Sequence, residues 1–405
     1  MRGPFESAPF RWLAAARFTT VLGNAVAPLA LAFAVLDLTG SPSDLGLVVA
    51  CRSVANVAVL LFGGVLADRF SRTVLLTGTS VAAGLSQGVI AALVLSGTAT
   101  IPLLAGLSVV NGAVAAVSFP ASAALVPSTV GTEQLRSANS ILRLGVNAGT
   151  LVSAAAGSVM IAVVGPGWGL AFDAFTFLVA AALFTRIRVA GSVRAKDSGS
   201  SMLRDLRDGW QEFSRRSWVW VVVVQFMVVN AAFVGAIAVL GPLVADRTFG
   251  RASWGLIIAS ETAGLVLGSL LALRWRPSRA LGTGVVLVAV TALPAVMLAL
   301  RPSVPVLMAC FAVGGIAIEQ FGVAWDQSLQ QHIPGEKLAR VYSYDAVGSF
   351  LAIPLGEVLV GPLAATAGTT PVLLGAGSLI VLATLGAACV PSVWRTRNVR
   401  AAVTA

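Results

Sequence analysis

The chain has 405 residues, of which 57% are hydrophobic and only 11% are charged, and its mean hydropathy is +0.90. Soluble domains contain about 45 to 50% apolar and about 25% charged residues, so this composition excludes a soluble globular protein and predicts an integral membrane protein. The formal charge of +10 does not indicate nucleic-acid binding, because the basic residues are scattered between apolar runs without an aromatic and basic surface segment.

Twelve apolar runs follow one another along the chain. A membrane helix needs about 20 apolar residues, and such long unbroken runs exclude a β-barrel. The first six runs lie at residues 12–37, 44–67, 73–97, 101–125, 138–163 and 167–186. The second six lie at residues 218–244, 252–273, 280–300, 303–325, 341–364 and 370–391. The sequence therefore predicts an all-α integral membrane protein with twelve transmembrane helices.

The loops predict the orientation of these helices. Arginine and lysine are concentrated in alternate loops, whereas the only basic residues in the loops between them are Arg247, Arg251 and Arg301. Because basic loops stay on the cytoplasmic side, we expect a multi-pass protein of the plasma membrane with both termini cytoplasmic.

One long polar insert divides the chain into residues 1–188, a linker at 189–216, and residues 217–405. Leu203, Leu206, Trp210 and Phe213 recur in the linker at helical spacing, which predicts an amphipathic helix on the inner leaflet. Two roles are open for this helix, a structural tether between the two halves and a binding element for regulation.

The two halves resemble copies of each other. Four short matches recur at offsets of 206, 209, 207 and 203 residues: Asn24 with Asn230, Gly46 with Gly255, Ser71 with Ser278, and Glu133 with Glu336. These matches predict two pseudo-symmetric six-helix bundles.

A short motif joins the second and third apolar runs. Gly64, Asp68, Arg69 and Arg72 resemble the loop that marks transporters of the major facilitator superfamily, although Ser71 and Thr73 stand where that family usually has a glycine and a basic residue. The resemblance implies that Asp68 latches the inner gate against the positive end of the helix dipole of span 11. A plain topology signal is the competing interpretation.

Further stretches resemble a narrower branch, the drug or metabolite exporters related to siderophore secretion and macrolide efflux. They are Ala67-Asp68-Arg69, Gly165 to Trp168, Phe172-Asp173, Thr176-Phe177, Leu203 to Trp210, and Gln330 to Pro334. The resemblance implies a secondary active transporter that exports a small lipophilic compound, such as a drug, an antibiotic or a secondary metabolite, by proton antiport. An importer or lysolipid flippase of the same fold, or a transport-inactive membrane sensor, is the alternative.

Charged residues inside the apolar runs are candidates for proton coupling, because each is costly in hydrocarbon. Arg52 and Arg143 are the basic ones, and the acidic ones are Asp173, Glu261, Glu319, Asp345 and Glu357. In the resembled fold spans 2 and 11 face each other, as do spans 5 and 8. This implies pairs of Arg52 with Glu357 and of Arg143 with Glu261 or Asp345. Such pairs either exchange during transport or hold the protein together permanently.

The sequence departs from the resembled drug antiporters in span 4. The arginine often used for proton coupling in drug antiporters is absent, and Asn111-Gly112 occupies that region.

Polar residues on spans 1 and 7 are candidates for substrate binding. Asn24 and Asn230 are related by the repeat, and Gln225 and Phe233 lie near the second of them. Interhelical hydrogen bonding is the alternative role for the amides. The surrounding Val, Leu, Ala and Phe residues favour a bulky apolar or weakly cationic compound.

Other classes of protein lack support in the sequence. Three cysteines and the single His332 have no metal-ligand spacing, and no phosphate-binding loop of the Gly-x4-Gly-Lys-Ser/Thr type exists. We therefore expect no enzyme activity, no cofactor and no metal, and a monomer whose partners are its substrate, protons and the lipid bilayer.

Overall fold

The computed structural model describes residues 4–69, 71–188, 210–211, 213–275, 277–301 and 303–396. These residues form helices and no strand. The helices are α1 (Ala8–Thr39), α2 (Pro42–Arg69), α3 (Arg72–Leu95), α4 (Ile101–Leu125), α5 (Leu135–Val164), α6 (Pro166–Thr185), α7 (Ser217–Arg247), α8 (Arg251–Arg274), α9 (Ala280–Leu300), α10 (Val304–His332), α11 (Gly335–Phe350), α12 (Ile353–Ala367), α13 (Thr369–Ala388) and α14 (Pro391–Arg395).

The predicted all-α membrane fold is confirmed. Within the described residues, eleven helical segments are long and apolar enough to cross a membrane. In addition to these eleven segments, α2 occupies the second predicted span as a continuous helix of 28 residues. The predicted spans and the observed helices coincide along the chain, because length and apolarity suffice to identify a membrane helix.

Local sequence fixes where the helices begin and end. The Ser7 hydroxyl caps α1 by accepting a hydrogen bond from the Phe10 amide at 3.4 Å, and Gly40 ends the helix in the left-handed region at φ 65°. The turns before α6 and α13 both place a glycine at positive φ, Gly165 at 91° and Gly368 at 89°. A side chain would strain this backbone conformation, so the same turn recurs in the two halves.

The described residues divide into two compact units, Met1–Lys196 with Ala245–Ala259, and Asp197–Val244 with Ser260–Ala405. In the first unit, α2 packs on α4, and α6 packs on both α1 and α3. One end of this unit encloses a fully apolar cluster that includes Phe10, Leu13, Leu76 and Phe184. Other positions on the same helices carry the polar residues described below.

In the second unit, glycines let helices approach closely. Gly235 on α7 lies against Gly356 on α12, where an added Cβ would come within 2.7 Å of the partner backbone. Gly264 on α8 and Gly315 on α10 allow these two helices to approach closely in the same way. Helix α7 contains a π turn at Ala236–Leu240, and α9 contains a 3-10 turn at Val288–Thr291.

Most of the predicted linker, residues 189–209 and Glu212, lies outside the described residues. Of its predicted apolar face, Trp210 and Phe213 stack with ring centroids 5.6 Å apart, and both contact Tyr344 in the second unit.

Candidate functional site

The first unit contains a cavity of about 1070 Å³. All six helices from α1 to α6 contribute side chains to its wall. The charged and amide residues of the wall are Arg17, Asn24, Arg52, Gln87, Asn111, Asn139, Arg143, Asn147 and Asp173. Because polar groups inside membrane helices are costly, their collection around one cavity marks it as the candidate site of this unit.

The crossing of α2 and α4 positions Arg52. Gly112 lies so close to the backbone of Arg52 that an added Cβ would overlap the Arg52 carbonyl oxygen. Asn56, one turn further along α2, donates a hydrogen bond to the Gly112 carbonyl at 3.3 Å. The absence of a side chain at Gly112 therefore lets α2 and α4 approach closely at Arg52, which lines the cavity.

Asp173 on α6 is the carboxylate of this site. Its residue is only 1% exposed, and it fits because Gly23 on α1 has no side chain, since a Cβ there would overlap Oδ1. Gln87 lies beside Asp173, and Asn111 Nδ2 donates to Gln87 Oε1 at 3.2 Å, so polar side chains of α3 and α4 extend to the carboxylate on α6. Oδ1 itself has no hydrogen-bond partner among the described atoms.

The cavity wall carries an excess of positive charge. Its charged residues are three arginines, at positions 17, 52 and 143, and Asp173, which sum to +2. Arg52 attracts Asp173 electrostatically, but none of the three guanidiniums forms a salt bridge with a described carboxylate. This part of the protein therefore holds guanidinium groups that are available to a ligand.

The structure brings some of the predicted site residues together. Asn24, Arg52, Arg143 and Asp173 all line the cavity. The carboxylate beside Arg52 within this unit is Asp173, which sequence reasoning included among the acidic candidates without pairing it to Arg52.

The predicted polar residues of α7 lie in the second unit. Gln225 is 2% exposed and donates to Thr384 Oγ1 at 3.2 Å, and Asn230 donates to the Ser349 carbonyl at 3.0 Å. Both amides thus make the interhelical hydrogen bonds that were the alternative to substrate binding. Phe233 is half-buried on the same helix.

The other predicted carboxylates are distributed over four helices of the second unit. Asp345 accepts hydrogen bonds from Trp325 Nε1 at 2.9 Å and from Ser349 Oγ at 3.1 Å. Glu319 accepts one from Ser269 Oγ at 2.6 Å. Glu357 is 2% exposed, whereas Glu261 is half-buried.

The predicted gating motif is described only in part. Helix α2 runs through Gly64 and Asp68 and ends at Arg69, but the side chains of this stretch lie outside the described residues. Arg72 begins α3 and lies near Ser128, with Nη1 at 3.5 Å from the hydroxyl oxygen.

Sequence reasoning missed five charged or amide residues of the cavity wall, namely Arg17, Gln87, Asn139, Asn147, and Asn111 as an amide of the wall. The sequence does mark Arg17 as an intramembrane charge, because it lies nine positions after the first residue of α1 and is therefore inside the membrane helix. The signal for Gln87 is weaker, because a single amide in an apolar run is also common between packed helices.

A second charged cluster in the first unit joins the end of α1 to the start of α8. Arg251 contacts both Asp37 and Asp246, with Nη1 at 2.9 Å from Asp37 Oδ2 and Nε at 2.7 Å from Asp246 Oδ1. Its guanidinium carbon also lies 4.8 Å from the ring centroid of the buried Phe33. The cluster fastens the segment Ala245–Ala259 to the first unit.

Arg251→Gln should therefore lower the free energy of unfolding by about 1 kcal/mol, a modest amount because partly exposed ion pairs contribute little. The two carboxylate partners are 43% and 37% exposed, so the loss should shrink further at high salt. Thermal unfolding at low and high salt measures both effects. Arg301→Gln is the matched control, since Arg301 donates to the Thr369 hydroxyl at 3.1 Å instead of to a carboxylate. An equal, salt-independent loss in the two variants would contradict the ion-pair explanation.

Comparisons with known proteins agree with this architecture. The Major Facilitator Superfamily profile matches residues 13–344. Enterobactin exporter EntS from Escherichia coli O1:K1 / APEC is 26% identical over 387 residues, which cover 92% of this chain and 91% of that protein.

Solved structures show the same fold. The nucleoside transporter NupG superposes with a TM-score of 0.78 at 12% identity, covering 94% of this chain and 98% of that one. A bacterial homolog to human lysosomal transporter Spinster, in an inward-facing and unoccupied conformation, gives 0.73 at 14% identity, covering 96% and 98%. The profile match spans most of the chain and both halves, and the chain belongs to the Major Facilitator Superfamily.

Proposed function

We propose that this protein is a proton-coupled exporter that moves a small, partly lipophilic compound across the plasma membrane by alternating access. The cavity of the first unit is the observation that carries the proposal. Its volume of about 1070 Å³ lies just above the range of about 300 to 1,000 Å³ that small-molecule sites occupy. Export as the direction is supported by the full-length similarity to a protein described as an exporter.

The wall of the cavity suits an amphipathic compound. Apolar side chains such as Val21, Leu31, Val146 and Phe177 line it beside the charged and amide groups. Apolar walls supply contact area, and a few placed polar groups orient the ligand. A drug, an antibiotic or a secondary metabolite has this combination of surfaces.

Asp173 is our first candidate for the proton carrier. A carboxylate that exchanges protons during transport must meet water in at least one state, and Asp173 lies on the wall of a cavity large enough to hold water. Arg52 beside it supplies a charge that responds to the loss or gain of that proton. The acidic residues of the second unit remain alternative carriers.

The basic loops support a topology with both termini cytoplasmic, as the positive-inside bias requires. We propose that the protein works as a monomer with its substrate, protons and the surrounding lipid as partners. The gating role of Asp68 at the inner end of span 11 is also part of the proposal.

Inside-out vesicles with an imposed acid interior test this function. Export in this orientation moves substrate into the lumen in exchange for lumenal protons, so a pH dye should recover when a transported compound is added. The panel contains lipophilic cations, macrolides, siderophores and aromatic carboxylic acids, and vesicles without the protein are the control. Dye recovery that depends on the protein and on one compound class supports the proposal. No recovery across the panel, with protein shown to be folded, would contradict it.

A further inference from the structure

We infer that the cavity of the first unit selects an organic anion, with Arg17, Arg52 and Arg143 as the residues that determine this specificity. The inference rests on the proposed transport function and names the substrate class for it. The compound would carry at least one carboxylate, phenolate, sulfonate or phosphate on an apolar body.

The described wall of the cavity holds unmatched positive charge. Three guanidiniums face one cavity inside membrane helices, and none of them makes a salt bridge with a described carboxylate. An ionised side chain removed from bulk water is costly unless a partner of opposite charge compensates it. A negatively charged ligand supplies that partner.

Asp173 is the one acidic side chain among the described residues of the wall. Its carboxylate is attracted by Arg52, so it offsets one of the three positive charges and leaves a balance of +2. A cationic compound, which the apolar composition alone favoured, would meet a wall of its own sign. The charge of the wall therefore separates anions from cations of the same size.

The donor groups of the wall also suit the shape of an anionic group. Arginine presents a planar fork of donors that matches the two oxygens of a carboxylate or phosphate. The amides of Asn24 on α1 and Asn147 on α5 add further donors to the wall. The apolar side chains of the same wall accommodate the rest of the molecule, so the ligand is an amphiphile with a charged head.

Two sources of such a ligand share this chemistry, a soluble aromatic acid and a lipid with an anionic headgroup. Competition against a bound fluorescent probe distinguishes them. Naphthoate represents the first source and lysophosphatidylglycerol the second, and displacement by either one leaves the anion assignment intact.

A charge series on one apolar body tests the inference with the wild-type protein. Pyrenebutyrate, pyrenebutanol and pyrenebutylamine differ in their terminal group while keeping the same ring system and chain. Their binding is measured on the full chain in nanodiscs of zwitterionic lipid, with empty nanodiscs subtracted. We expect the acid to bind at least about tenfold more tightly than the alcohol, and the amine to bind most weakly, because hydrogen bonds to charged groups are the strong ones.

Single substitutions show which arginines bind the negatively charged group of the ligand. Arg17→Gln and Arg52→Gln should each weaken binding of pyrenebutyrate by about tenfold while leaving the alcohol unchanged. Arg11→Gln is the matched control on α1, since Arg11 is exposed and donates to the backbone oxygens of Phe5 and Glu6 at 2.8 and 3.4 Å. Gel filtration and thermal unfolding exclude variants that fail to fold, and the wild-type charge series does not depend on them.

Equal binding of the acid and the alcohol, tighter binding of the amine, or no binding of the acid would overturn the inference. These outcomes are distinguishable from a failure of the transport proposal. Selective binding of the acid without proton movement in vesicles would contradict the exporter proposal and leave the anion assignment standing. Proton-coupled transport of neutral or cationic compounds would remove the anion assignment alone.

Discussion

Replacing Asp173 by asparagine should abolish proton-driven export while leaving the protein folded and able to bind its substrate. The asparagine side chain would keep the shape of the aspartate and its place beside Gln87, but it cannot take up or release a proton in the working pH range. Asp173 is the one carboxylate among the described residues of the cavity wall, so its loss leaves that wall without a titratable acid.

Two assays on reconstituted vesicles separate coupling from movement. Substrate accumulation driven by a proton gradient should disappear in Asp173→Asn, whereas exchange of labelled for unlabelled substrate should continue. Asp44→Asn is the matched control, because Asp44 lies in the first turn of α2 and not on the cavity wall. Glu261→Gln tests one of the predicted carboxylates of the second unit in the same assays. Full coupling in Asp173→Asn, with coupling lost in Glu261→Gln, would move the proton carrier to the second unit.

Replacing Gly112 by valine should remove most of the folded protein. Any Cβ at this position overlaps the carbonyl oxygen of Arg52, and the clashing atom belongs to the backbone, so no side-chain rotation relieves it. Overpacking of a tight contact typically costs about 1 to 3 kcal/mol, and a clash with backbone on a second helix should lie at or above the top of that range, about 3 kcal/mol. The yield of monodisperse protein and its thermal midpoint measure the effect.

Gly106→Val is the control for this change. Gly106 lies on the same helix, α4, but a Cβ there meets no atom within 4 Å. It should unfold at nearly the wild-type temperature, since only the glycine at the helix crossing needs the space. Similar losses in both variants would show that α4 tolerates no side chain for reasons other than its approach to α2.

Most of the architecture could be predicted because membrane insertion depends on properties that are local in sequence. Each span is marked by about 20 apolar residues, and the ends of α1 and the turns at Gly165 and Gly368 use residue types with known conformational preferences. The basic loops add a proposed orientation. None of these signals requires knowledge of which helices touch.

The candidate site depends on contacts between helices, and there sequence reasoning was less complete. Arg52 and Asp173 were both recognised as costly intramembrane charges, but their proximity depends on Gly112 and Gly23, two glycines whose importance is visible only in the packing. The same limitation applies to Gln225 and Asn230. An amide in an apolar run predicts a polar contact, while the packing decides whether a ligand or a neighbouring helix provides it.

The π turn of α7 bears on the predicted correspondence between the two halves of the chain. Before that turn, Asn230 is matched to Asn24 at an offset of 206, and after it Gly255 is matched to Gly46 at an offset of 209, a growth of three residues. A π turn closes over one residue more than an α turn, so it can absorb an insertion without breaking the helix. On this predicted correspondence, one of the three added residues is accommodated inside a membrane helix instead of in a loop. We then expect mutational results transferred from one half to the other to need a change of offset within α7, at Ala236–Leu240.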